Sequence, residues 1–266
     1  MKIIKIGKEN STFQEIFALK NNRQKRNKKQ LLFVEGVQNI KNAIDNNWEI
    51  NSFIFADFER LSNWAKNTIK SSNATCYELS SDLMEKLSDK DQTSEIIALI
   101  KIKNQDIKIN SKRPVILLLD RPSKKGNFGT IIRSCDAFNV DLLLFMGHSV
   151  DIYDPKVIVS SMGSFFRVPF MYVKSNNELL EFVNTLKKSH PTLQIISTTL
   201  QTDNSLETLN TNKPTLLMMG NEAEGLSNFL VDLSDESVKI NMRSGIDSLN
   251  VACATSICLY KLYLNK

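Results

Sequence analysis

The chain has 266 residues, 42% of them apolar, and a formal net charge of +5. That is enough apolar material to fill one large domain or two modest ones, so the chain is globular rather than disordered. No apolar run approaches transmembrane length and the start, Met1-Lys2-Ile3-Ile4-Lys5, lacks the apolar core of a signal peptide, so a soluble cytoplasmic protein with no membrane partner is expected.

From Ile16 to Val34 there is no acid, against Lys20, Arg23, Lys25, Arg26, Lys28 and Lys29. Such a stretch is either a solvated face or a phosphate-contacting patch, and Arg23, Lys25, Arg26, Lys28 and Lys29 are the candidates for the second. Gln30–Val34 then reads as a buried strand ended by Glu35-Gly36, and Val37–Asn46 has helical spacing. Strands over Ser52–Ala56, Thr75–Tyr77 and Glu95–Ile100 alternate with helices over Glu59–Ile69 and Ser81–Leu87, the pattern of a small α/β domain. Glu35, a lone acid at a strand end, is expected to pair with a neighbouring group, and Trp48 and Trp64 to pack. Lys103–Lys112 is polar and without periodicity, which suits a link between domains.

Val115–Leu119 is a continuous apolar run of the kind a parallel sheet buries on both faces. A basic, turn-rich loop from Asp120 leads to a helix over Phe128–Phe138, with Asn127 placed to cap it and Arg133 inside it. Asp141–Gly147 follows as a strand, Asp154–Met162 as a helix, Asn177–Lys187 as an amphipathic helix and Leu193–Ser197 as a strand, with Phe165, Phe166 and Phe170 as core and His190 in a solvent-facing turn. Thr215–Met219 is a buried strand that breaks into Gly220-Asn221-Glu222-Ala223-Glu224-Gly225. Ser237–Ile240 is a second short run, and a last helix reaches Leu264 with Ser248 as its N-cap. Two strand ends followed by small and polar residues precede a helix start, and open α/β sheets gather their ligands at such places. Cysteines 76, 135, 253 and 258 have no paired C-x-x-C spacing and the two histidines complete no ligand set, so free thiols and no metal are expected.

Three of these segments carry a family resemblance. Asn127-Phe128-Gly129-Thr130-Ile131-Ile132-Arg133 with Ala137-Phe138-Asn139, then Gly220–Gly225, then Ile240–Asn250, resemble in order and spacing the three motifs of the SpoU (TrmH-like) branch of the SPOUT RNA methyltransferases. The Phe33-Val34-Glu35-Gly36 entry, with basic residues before it, resembles more loosely the L30e-like RNA-binding domain found in front of many of them. The general rules alone give the C-terminal half a doubly wound, unknotted sheet. The resemblance implies instead a SPOUT α/β fold with a deep trefoil knot, its last loop and helix threaded through, and a division into an L30e-like domain over 1–106, a linker over 107–113 and a methyltransferase domain over 114–266.

The resemblance further implies methyl transfer from S-adenosylmethionine to a ribose 2′-hydroxyl of structured RNA, ribosomal RNA first among the candidates, and the family includes enzymes that protect ribosomes from antibiotics. Transfer RNA as substrate, or a non-catalytic RNA-binding or ribosome-assembly factor that kept the fold, are the alternatives. An oxidoreductase is disfavoured because no G-x-G-x-x-G follows an early strand. Asn127, Arg133, Glu222, Ser248 and Asn250 match the family's functional positions, and Gly220, Ile240, Leu249 and Met242 its cofactor loops. Thr198, at a strand end on the same side, joins them. A guanidinium gives up its proton reluctantly, so Arg133 is expected to orient the ribose oxygen or a phosphate rather than to act as base. Glu222 is expected to position Arg133 or loop amides, and Glu224 to be solvated. Asn241 stands where the family commonly has Pro, and Asn139 replaces the usual Gly after Ala-Phe in a left-handed conformation that Asn tolerates. A homodimer through the C-terminal half is implied.

Overall fold

The computed structural model describes residues 3–88, 92–105, 107–245 and 248–264. Asp106, at the expected domain boundary, and Ile246 and Asp247, within the third motif, lie outside the described residues. The chain forms two compact units, one of residues 1–104 with 151–167 and one of residues 105–150 with 168–266.

The first unit contains β1 (Ile3–Ile6), α1 (Ser11–Asn21), α2 (Arg23–Lys29), β2 (Leu31–Glu35), α3 (Val37–Asp45), β3 (Ile50–Phe55), α4 (Asn63–Lys70), β4 (Thr75–Leu79), α5 (Ser81–Leu87) and β5 (Ile97–Lys101). Its sheet runs β1-β4-β3-β5-β2, parallel from β1 to β3, with β5 antiparallel to both its neighbours. The expected helix over Glu59–Ile69 is divided into a short 3-10 turn at Phe58–Arg60 and α4, because the Ser62 hydroxyl accepts from the Ala65 amide and starts a new helix there. β1 pairs with β4 although its four residues gave no strand signal. Glu35 is buried and accepts from the Ser88 hydroxyl at 2.6 Å, and Trp48 donates from its ring nitrogen to the Phe166 carbonyl at 3.1 Å while packing on Phe165 and Phe166, so both are structural.

The basic stretch is ordered as α2 rather than as an arm. Arg23, Lys25, Lys28 and Lys29 are exposed, but Arg26 is only 2% exposed. Its guanidinium donates to the Asp151 carboxylate at 2.6 and 3.1 Å and to the carbonyls of Leu19 and Lys20 at 2.9 Å each. Those carbonyls lie in the last turn of α1, where a helix leaves acceptors without an intrahelical partner. Arg26 therefore fastens α1, α2 and the 151–167 stretch to one another, and its burial withholds it from a phosphate.

The second unit contains β6 (Val115–Asp120), α6 (Lys125–Ala137), β7 (Leu142–Met146), β8 (Phe170–Val173), α8 (Asn176–Ser189), β9 (Gln194–Thr198), β10 (Thr215–Met219), α9 (Asn228–Leu233), β11 (Glu236–Val238) and α10 (Val251–Tyr263); α7 (Pro155–Ser160) belongs to the first. Its sheet, β11-β9-β10-β6-β7-β8, is parallel at every pairing. β6, β7 and β10 are buried along their whole length, as uninterrupted apolar runs predict. β8 carries no strand signal in the sequence, because four residues after Val168-Pro169 offer too short a pattern, yet they complete the edge beside β7. His190 is held rather than free, its Nε2 3.1 Å from the Ser111 carbonyl and its Nδ1 3.0 Å from the Ser189 hydroxyl. Asn139 takes the left-handed conformation anticipated for it, with φ +52°. No helix among the described residues is long and apolar enough to cross a membrane.

Arg26 and Asp151 supply the stability test. Asp151→Ala strands a buried guanidinium, so denaturant titration is expected to show a loss of about 3–5 kcal/mol. Lys25→Ala, on the exposed face of the same helix, should fall within about 0.5 kcal/mol of the parent. Equal effects at the two positions contradict a structural role for Arg26.

Candidate functional site

The C-terminal ends of β6, β9, β10 and β11 lie on one edge of the second unit's sheet. The loops that leave β9, β10 and β11 lie side by side there, at the carboxyl ends of neighbouring parallel strands where open α/β sheets take their ligands. A cavity of about 760 Å³ occupies this edge. Thr198, Gly220, Ile240, Met242 and Leu249, the five expected cofactor-side residues, all line it, and so do Glu222 and Ser248. Its apolar wall includes Val231 and Leu226, and its polar wall Asn221, Asn228 and Ser237.

The turn after β10 is closed by two main-chain bonds of 3.0 Å between Asn221 and Gly225. A Cβ at Gly220 would meet the Gly225 carbonyl carbon at 2.3 Å and the Leu226 nitrogen at 2.4 Å. Gly220 is thus required by the turn's own backbone, before any ligand is considered. Thr198 donates its hydroxyl to the Met218 carbonyl at 2.9 Å, which fixes its orientation at the cavity wall.

Glu222 sits at the centre of a side-chain network. Its Oε2 accepts from the Ser123 hydroxyl at 2.6 Å and its Oε1 from Asn127 Nδ2 at 3.0 Å. Asn127 Oδ1 in turn accepts from Asn250 Nδ2 at 3.1 Å, while Asn250 Oδ1 accepts from the Ala252 amide at 2.8 Å. Loops after β6 and β10 and the start of α10 are therefore joined through three motif residues far apart in sequence. Two expected caps change as a result. Asn250, not Ser248, is the N-cap of α10, and Asn127 lies inside the first turn of α6, which starts at Lys125 without a side-chain cap. An amide can both cap a helix and reach across to a neighbour, which a single hydroxyl at Ser248 cannot do from two residues farther out.

Burial pushes the Glu222 carboxyl pKa up, but donation from Ser123 and Asn127, with main-chain amides, outweighs it and holds the group below its ordinary value. Hydrogen bonds to the charged form favour the carboxylate. Arg133 is exposed on α6, beyond its second turn, and makes no hydrogen bond or ion pair with another described residue. It is separate from the Glu222 network, so the expectation that Glu222 positions Arg133 directly has no contact behind it. Glu224, expected to be merely solvated, pairs with Arg121. Ser123 and Arg121 escaped sequence reading because the loop they share shows only a run of turn formers and charge. Asn241 is exposed and donates to the Ser205 hydroxyl at 2.9 Å, a tether in place of the rigidity a Pro supplies. Among the described residues no group of His, Cys, Asp and Glu could hold a metal ion.

An all-parallel sheet with a cavity at its strand ends, walled by main chain and apolar side chains and rimmed by an amide-carboxylate network, defines an α/β protein built to take a ligand at that edge. The particular family follows from comparison. Residues 114–260 match the SpoU rRNA Methylase family and residues 10–98 the SpoU L30e-like domain, and the chain belongs to that family. A 23S rRNA (uridine(2479)-2′-O)-methyltransferase of Streptomyces viridochromogenes is 33% identical across 97% of this chain and 91% of its own. The crystal structure of the SpoU methyltransferase AviRb from Streptomyces viridochromogenes in complex with the cofactor AdoMet superposes with a TM-score of 0.90 at 32% identity, covering 96% of this chain and 98% of that one. A 23S rRNA (guanosine(2553)-2′-O)-methyltransferase, RlmP, of Bacillus subtilis is 24% identical over 90% of this chain and 91% of its own.

Glu222 generates a pH prediction. Because its folded-state pKa is depressed, the stability it contributes is present in full above the ordinary carboxylate pKa of about 4.3 and is lost as pH falls through the lower folded value. The melting temperature of the parent is expected to exceed that of Glu222→Gln near neutrality, and the gap to close on acidification below pH ~4. A gap that is constant with pH contradicts the ionised network.

Proposed function

We propose that the cavity at the β9–β10–β11 edge holds S-adenosylmethionine and that the chain methylates a ribose 2′-hydroxyl of structured RNA, with ribosomal RNA as the substrate. The observation that carries this reading is that Thr198, Gly220, Ile240, Met242 and Leu249, from four separate stretches of chain, line one cavity beside Glu222, Asn127 and Asn250. The cavity suits the cofactor chemically: Ile240, Met242, Leu249 and Val231 offer apolar surface for a purine, and the loop backbone offers donors and acceptors for its edge. When bound, the sulfonium supplies an activated methyl group. The chain's own residues then have positional tasks. Glu222 fixes the loops after β6 and β10 through Ser123 and Asn127, and Asn250 ties the start of α10 to them. Arg133, with its donors unoccupied among the described residues, suits a substrate phosphate or ribose oxygen through its planar fork.

Recognition of RNA by the first unit belongs to the same reading. Residues 1–106 act as the substrate-binding part, 107–113 as the link and 114–266 as the methyltransferase part, which lends residues 151–167 to the first compact unit and carries the trefoil knot of the family's fold. Arg23, Lys25 and Lys28 present exposed cations for phosphate contact, and so does Lys29, which shares its charge with exposed Glu15 at 2.6 Å; Arg26 is withdrawn because it is buried. The protein acts in the cytoplasm as a homodimer. Ile257, Tyr260, Tyr263 and Leu264 leave an exposed apolar face along α10, with Phe138 packed against both tyrosine rings, and a second copy of that face is its natural cover.

Purified protein with tritiated S-adenosylmethionine and large-subunit ribosomal RNA is expected to give label in ribose 2′-O-methyl nucleotides, and Arg133→Ala to lower the rate by about a hundredfold. Label on transfer RNA alone overturns the substrate class, and no label with the parent on either RNA supports a binding factor. By light scattering the parent is expected to run as a dimer and Tyr260→Glu to shift it toward monomer; a monomeric parent contradicts the α10 interface.

A further inference from the structure

The loop that leaves β6 starts with a backbone anomaly. Arg121 has φ +50°, a left-handed conformation that residues other than Gly, Asn and Asp seldom adopt. The main chain there is held on both sides: the Arg121 amide donates to the Met146 carbonyl at 3.0 Å and its carbonyl accepts from Asn221 Nδ2 at 2.7 Å. The side chain has four attachments. Nε and Nη2 each donate to the Asp120 carboxylate at 3.1 Å, Nη2 also to the Gly225 carbonyl at 3.1 Å, and Nη1 to Glu224. Asp120 is itself buried and accepts from the Ser227 amide at 2.9 Å. The exit of β7 is shaped around the same side chain, since a Cβ at Gly147 (φ +72°) would lie 2.6 Å from Arg121 Cγ.

One guanidinium thus joins the end of β6 to the far side of the Asn221–Gly225 turn, and Glu224 and Gly225 both line the cavity. The near side of that turn is held separately, by Ser123 and Asn127 on Glu222. We propose that Arg121 is a positioning residue for cofactor binding, setting the cavity wall formed by the turn after β10 before the ligand arrives. The proposal rests on the reading of the cavity as the S-adenosylmethionine site. Its physical basis is preorganisation: the turn's own bonds, two between the main chains of Asn221 and Gly225 and two from the Ala223 and Glu224 amides to Asn221 Oδ1, all stay within it, whereas Arg121 ties it to β6, and a turn already fixed in the binding geometry loses less freedom when the ligand is captured. A planar fork can serve Asp120, Glu224 and the Gly225 carbonyl at once, and a lysine ammonium at the end of a flexible stem cannot.

Arg121→Gly is the informative variant, because glycine accepts φ +50° without strain and removes only the side chain. Three measurements decide the matter: calorimetric titration with S-adenosylmethionine, amide hydrogen exchange at Ala223, Glu224 and Gly225 in the ligand-free protein, and steady-state kinetics. The expected results are a Kd about tenfold weaker, faster exchange confined to the turn, and a loss expressed in KM for the cofactor rather than in kcat, with Arg121→Lys intermediate in each. Unchanged Kd and unchanged exchange in Arg121→Gly overturn the proposal. Should the glycine variant fail to fold, Arg121→Lys carries the same comparison, with parent-like values in both readouts counting against. A parent protein that does not bind S-adenosylmethionine sinks the cavity reading instead, and the exchange measurement, which needs no ligand, still judges Arg121.

Discussion

The second unit depends on one point of convergence: three loops from distant parts of the chain must end at the same place, and a half-buried carboxylate joins them there. Glu222 cannot give up both of its donors without losing the tie between the β6 loop and the near side of the turn after β10, and Asn127 cannot turn without losing Asn250. Hydrogen bonds to an ionised acceptor are about twice as strong as neutral ones, so a charged centre suits the task better than an amide does. The depressed carboxyl pKa is the same fact seen in protons.

Around this centre the sheet supplies the direction. Parallel pairing throughout sends β6, β9, β10 and β11 to one edge, so residues that share no local sequence arrive together. Burial of β10 on both faces fixes where its apolar run stops, and Gly220 marks the stop because the returning backbone of Gly225 and Leu226 leaves no room for a Cβ. The cavity is therefore a consequence of strand ends and a tight turn, with apolar side chains of the last loop closing it.

Much of this was legible in the sequence, and the limits have physical causes. Continuous apolar runs gave β6, β7 and β10, and the motif residues Asn127, Glu222 and Asn250 proved to be in direct contact. Local signals could not give long-range partners. Arg26 looks like its neighbours until Asp151, 125 residues later, is seen to take its guanidinium. Glu224 and Arg121 are separated by 103 residues and each reads as a solvated charge alone. Ser248 and Asn250 are both good capping residues, and only the reach of Asn250 toward Asn127 selects between them. β1 and β8 were missed because four-residue edge strands carry too little pattern.

The proposed methyl-donor site lies among the loops after β9, β10 and β11, with Glu222 holding the middle one, and a crystal structure with S-adenosylhomocysteine tests it. The adenine is expected between Ile240, Met242 and Leu249, its edge on loop main chain near Gly220. Density for the ligand at any other place on the molecule, with this cavity empty, would contradict it.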